Sequence, residues 1–128
     1  MGYLIKSIHS SFFLSNENKS KAYDTIKEWV TDEEDGIIYG DFLWVDIDLL
    51  EEATTIEEQL KAWRWSPKND SYGNIISVEF VGEKEGEDEE FLSVLAPYVR
   101  PNSYIEMEGE DGAMWKWIFD GKCCNRVD

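Results

Sequence analysis

Ser103-Tyr104-Ile105-Glu106-Met107-Glu108-Gly109-Glu110-Asp111-Gly112-Ala113-Met114-Trp115-Lys116-Trp117-Ile118-Phe119 is the stretch that decides the fold. Two alternating runs flank Asp111-Gly112, and Asp-Gly between such runs is the strongest short-range signal for a β-hairpin. With Asp111 and Gly112 as the two central turn residues, counting outward sets Glu110 opposite Ala113, Glu108 opposite Trp115, Glu106 opposite Trp117 and Tyr104 opposite Phe119. Side chains alternate across a strand. This register therefore predicts one face of Tyr104, Glu106, Glu108, Trp115, Trp117 and Phe119, and another of Ile105, Met107, Met114, Lys116 and Ile118. A second Asp-Gly, at 120–121, predicts a turn into a short last strand over 122–125.

Upstream of the hairpin the pattern switches between the two periods. Residues 3–13 read as a strand. Polar side chains at 15–18 offer caps for a helix that runs to about Val30, with Ala22, Ile26, Trp29 and Val30 on one face. Residues 37–50 read as a strand, with Leu43, Val45, Ile47 and Leu49 on one side and Phe42, Trp44, Asp46 and Asp48 on the other. Thr55-Ile56-Glu57-Glu58 fits a capping box, in which a Thr side chain and a Glu side chain satisfy each other's orphan N–H groups. That helix is expected to end near Trp65, because Pro67 disfavours helical geometry at Ser66. Residues 68–73 read as a turn and 74–82 as a β-branched strand. The acids at 83–90 lead into a helix with Phe91, Leu92, Leu95 and Tyr98 as its buried stripe. The expectation is a single α+β domain over residues 1–128, mostly antiparallel, with about three helices and a C-terminal hairpin.

Charge narrows the function. The chain of 128 residues has 28 acids against 12 bases, a net charge of −16. The excess is shared evenly by the two halves. Such a field repels nucleic acid and anionic membrane and attracts basic partners. No segment has the ~20 apolar residues of a membrane span, and residues 3–13 lack a signal-peptide pattern. Cys123 and Cys124 are adjacent, so a spaced disulfide framework is absent, and both read as reduced thiols of a cytoplasmic protein.

The segments Phe42-Leu43-Trp44-Val45-Asp46, 58–65, Gly73-Asn74-Ile75, Gly82-Glu83-Lys84, 103–112 and Trp115-Lys116-Trp117 carry a resemblance over the last two thirds of the chain. The chain resembles a family of small, acidic, uncharacterised proteins from bacterial genomes and mobile elements. The resemblance implies a bacterial or phage source and no particular chemistry.

Catalytic signatures are missing: there is no nucleophile elbow, no H-E-x-x-H and no phosphate-binding glycine loop. His9 is the only histidine. Asp46-Ile47-Asp48 would place two carboxylates on one strand face, a pattern that solvent exposure explains more simply than a metal does. The expected metal and cofactor content is none. Two acidic patches are the candidate contacts for a basic protein partner: first Glu83, Glu85, Glu87, Asp88, Glu89 and Glu90, then Asp32, Glu33, Glu34 and Asp35. Tyr104, Glu106, Glu108, Trp115 and Trp117 form a candidate ligand face, suited by its aromatics and carboxylates to a cation, a sugar or glycoside hydrolysis. The leading expectation is a non-enzymatic acidic inhibitor, of the toxin-immunity or anti-defence kind. The alternatives are a small-ligand binder or hydrolase using the Trp/Glu face, and a structural accessory domain.

Overall fold

The structure, a computed structural model, describes residues 3–31, 45–84, 86 and 88–128. Six strands and four α-helices follow one another among them: β1 Ile5–Ser11, α1 Lys19–Val30, α2 Ile47–Glu52, α3 Ile56–Ala62, β2 Trp65–Asn69, β3 Ile75–Phe80, α4 Asp88–Leu95, β4 Tyr104–Gly109, β5 Met114–Phe119 and β6 Cys124–Val127. All pairings are antiparallel, in a four-stranded sheet β1-β4-β5-β6 and a ribbon β2-β3. The fold is α+β, as the alternation of periods predicts.

The hairpin is present, but its register is shifted by one residue. Glu108 faces Met114, Met107 faces Trp115, Glu106 faces Lys116, Ile105 faces Trp117 and Tyr104 faces Ile118. The loop has three residues, not two. Gly109 N donates to Ala113 O at 2.8 Å, Gly112 N donates to Gly109 O at 3.0 Å, and Gly112 takes a left-handed φ of +83°. This is the three-residue hairpin in which glycine fills the left-handed position. A one-residue slip moves one strand's side chains to the other face relative to its partner. Trp115, Trp117 and Phe119 therefore share the covered face with Ile105 and Met107, all of them buried. Gly109 is required for a different reason: a Cβ there would collide with the Tyr3 ring. The Tyr3 hydroxyl donates to the Asp111 carboxylate, and that bond, with one from Ala113 N, holds the Asp111 carboxyl below its ordinary range.

The ribbon joins the sheet through a seam of side chains. Val78 N and Phe80 N donate to Ser10 Oγ (3.2 Å) and Ser7 Oγ (2.9 Å) instead of to β1 backbone. Backbone bonds close the seam at both ends, between Leu14 and Ile75 and from Ile5 N to Glu83 O, each 2.9 Å. Ser7 and Ser10 lie opposite Met107 and Ile105, on the covered side of β1. Because Val78 N points at β1, the missing N–H of its partner Pro67 falls on the outer edge of β2, where proline is tolerated.

The helices pack on the covered face in one continuous cluster of buried side chains. Ala22, Ile26 and Val30 of α1 are buried, as are Phe91, Leu92 and Leu95 of α4. Trp63 stacks between Trp29 (5.7 Å) and Phe91 (4.7 Å), tying three helices together. The Thr55 cap forms as expected: Glu58 N donates to Thr55 Oγ1, while Glu58 Oε1 accepts from Thr54 N, one residue beyond the usual partner. Lys19 pairs with Glu57 at 2.5 Å, fastening α1 to the start of α3.

Two segments differ from the expectation. Residues 47–50 are helical, not extended: Asp46 N-caps α2 by accepting from Leu49 N at 3.1 Å. Ile47 and Leu50 then sit at helical spacing, with Leu50 in the core. Asp46 and Asp48 are consequently no strand-face pair. Residues 65–69, expected to span a helix end and a turn, form β2, because Arg64 at φ +74° turns the chain sharply after α3. The strand expected over 37–44 lies outside the described residues.

Candidate binding surfaces

The corrected register takes the Trp/Glu ligand face apart. Tyr104, Glu106 and Glu108 stand on the open face of the sheet, while Trp115 and Trp117 are 3% and 2% exposed on the covered one. Each glutamate meets a lysine. Lys6 pairs with Glu108 at 3.2 Å, and Lys116 lies directly across from Glu106 with its ammonium 4.9 Å from the centre of the Tyr104 ring. Glu108 is already paired, the Lys116 ammonium occupies the Tyr104 ring, and no Trp platform is left beside the two glutamates for a sugar. The open face is charge-balanced in its lysines and glutamates, and it exposes Leu4, Ile8, Met114 and Val127.

The first acidic patch is likewise divided. Glu83, Glu89 and Glu90 are exposed, but Asp88 is 2% exposed and cannot dock with anything. Its carboxylate accepts from Arg64 Nη2 (3.3 Å), from Trp65 Nε1 (3.3 Å) and from Gly86 N (3.2 Å). Arg64 also donates to Lys84 O at 2.6 Å and lies over the Phe80 ring at 4.9 Å. Burial pulls the Arg64 guanidinium below its ordinary range, and Asp88 opposes that pull. A buried carboxylate requires such partners, so Asp88 is a structural tie between α4 and the start of β2. Glu85, Glu87 and the second patch, Asp32, Glu33, Glu34 and Asp35, lie outside the described residues.

Sequence reasoning missed a further acidic surface. Asp46, Asp48, Glu51 and Glu52 on and before α2 are all exposed, and none forms an ion pair among the described residues. The helical signal was present: an Asp cap followed by Ile47 and Leu50 three apart. No protein-family model, curated protein or solved structure matches the chain. Function therefore has to be argued from these surfaces. Among the described residues no helix is long and apolar enough to cross a membrane, and no three His, Cys, Asp or Glu side chains converge as metal ligands.

The adjacent cysteines have opposite environments. Cys123 is exposed, whereas Cys124 on β6 is buried against Phe119 and free of any disulfide. Burial first, then the charges of Glu89 and Asp120 and the neighbouring Cys123, push the Cys124 thiol up from 9.0 to about 12. Only the thiolate reacts readily with disulfide reagents. One thiol should titrate quickly in the native protein at pH 8, and the second only after unfolding; two fast thiols would contradict the burial. The raised pKa stabilises the fold below pH 9, and that contribution should fade as pH climbs towards 12.

Proposed function

We propose that this is a non-enzymatic acidic binding protein that docks on and neutralises a basic partner protein. The observation that carries the reading is the α2 surface. Four acids crowd the cap and the six residues of this exposed helix with no carboxylate ion pair among the described residues, on a chain of net charge −16; the nearby Lys27 ammonium donates to the Glu51 backbone carbonyl at 3.4 Å. Like charges at such spacing repel. They persist at little cost to the fold, and an oppositely charged partner would relieve them. Glu83, Glu89 and Glu90 supply a second exposed group of acids. A toxin-immunity protein, or an inhibitor of a nucleic-acid-binding defence enzyme, fits this chemistry, because such targets present basic surfaces. The resemblance to proteins of bacterial genomes and mobile elements supports the same setting.

The test is capture on the immobilised protein at low salt, elution with salt, and repetition with Asp46→Asn, Asp48→Asn, Glu51→Gln and Glu52→Gln combined. Asn caps a helix as well as Asp does, so the variant should fold. Exposed charge pairs contribute a few tenths of a kcal/mol to about 1 kcal/mol each, so losing four should weaken binding about tenfold or more. A captured partner that is acidic or neutral, or that binds the variant unchanged, would refute the reading.

A further inference from the structure

One place on this acidic surface has the opposite character. Of the three arginines, Arg64 pairs with Asp88 and Arg126 with Asp128. Arg100 is exposed and pairs with no carboxylate among the described residues; its guanidinium lies over the Phe13 ring, 3.8 Å from the centroid. It borders a hollow of about 450 Å³ between the end of β1, the 100–103 turn and Ile76 of β3. His9, Ser10, Asn102 and Ser103 supply polar lining, and no carboxylate lines the hollow.

The hydrogen bonds leave donors to spare. A serine hydroxyl has one proton and two lone pairs. Ser103 Oγ accepts from Phe13 N at 3.3 Å, and Ser10 Oγ accepts from Val78 N at 3.2 Å. Each hydroxyl therefore keeps its proton to give. Asn102 holds a left-handed φ of +73°, fixed by the bond from its N–H to Phe119 O at 2.8 Å. Stacking on Phe13 restricts the Arg100 side chain in advance, which preserves the guanidinium fork for a planar or tetrahedral oxyanion. Phe12, Phe13 and Ile76 give the hollow an apolar wall.

We propose that this hollow binds an oxyanion carried on a small apolar body, a carboxylate or a phosphate monoester, with Arg100 as the principal ligand and Ser103 and Ser10 as hydroxyl donors. The site does not depend on the acidic surface's having a basic partner. The molecule's negative field opposes an anion at long range, but screening confines that field to about 8 Å at physiological salt, and the hollow contributes none of it. The experiment is amide chemical-shift titration of the full chain with benzoate and with phenyl phosphate, at about 0.15 M salt. Saturable shifts confined to Ser10, Ser11, Asn102 and Ser103 are expected from at least one probe. Benzoate alone would assign a carboxylate, phenyl phosphate alone a phosphate, and both the shared oxyanion. Arg100→Gln should weaken binding about tenfold or more, the scale of a lost charge-assisted hydrogen bond, while Lys116→Gln should not. If Arg100→Gln fails to fold, Arg100→Lys and Ser103→Ala serve, each expected to weaken binding severalfold. No saturable shift with either probe, shifts spread over the lysines, or binding indifferent to these substitutions would overturn the proposal.

Discussion

Replacing Asp88 with asparagine should destabilise the domain by about 3–5 kcal/mol, the usual cost of removing one partner from a buried ion pair. The side chain keeps its volume, so packing is not the cause. The loss comes from the Arg64 guanidinium, whose side chain is 15% exposed and whose Nε has no partner among the described residues. Without the carboxylate that charge faces an uncharged amide, and Trp65 Nε1 and Gly86 N compete for the one oxygen left. The measurement is urea unfolding of both proteins, with an unchanged slope showing that the same surface is exposed. A loss under about 1 kcal/mol, the scale of a surface pair, would show that Asp88 is solvated and belongs to the acidic contact patch after all.

The second large effect separates the two faces of the hairpin. Trp117→Ala should cost about 3–5 kcal/mol, because it opens a cavity in the core. Glu106→Gln and Glu108→Gln should each change stability by no more than about 0.5 kcal/mol, as exposed substitutions do. The register that puts Trp115 and Trp117 beside the glutamates predicts comparable, modest effects from both kinds of change. Near-neutral behaviour of Trp117→Ala would restore the Trp/Glu ligand face.

The hairpin itself shows how far the sequence could be read. Its existence, both strands and the turn were legible, because Asp-Gly and the alternation are local. Its register was not fixed by Asp111-Gly112 alone, since glycine at 112 suits a two-residue and a three-residue loop equally. Cross-strand consistency would have decided it. Ile105 and Met107 are apolar where Glu106 and Glu108 are not, and setting them opposite Trp117 and Trp115 requires the three-residue loop. The helices α1, α3 and α4 were readable from caps and spacing. α2 was not, because Val45, Ile47 and Leu49 alternate as a strand would, and only the Asp46 cap argues otherwise. β2 was hidden by Pro67, which is acceptable there only because its nitrogen faces a free edge. The burial of Asp88 was invisible in a run of acids: its partners Arg64 and Trp65 lie more than twenty residues away, and only the fold brings them together. The hollow at Arg100 had no sequence signature, since its donors come from two segments about ninety residues apart and its apolar wall draws on a third.

Charge carries the functional reading, so kinetics tests it most directly. The measurement is the association rate of the captured partner with the native protein and with the four-fold α2 neutralised variant, followed in stopped flow across a range of salt. A field of this size speeds encounter with a basic body by about tenfold to a thousandfold, and salt removes that gain. The native protein should therefore associate at least about tenfold more slowly as salt rises, with a much smaller change in dissociation, and the variant should start slower and show a shallower slope. Association rates that are the same at low and high salt, or the same for the native protein and the variant, would contradict the account.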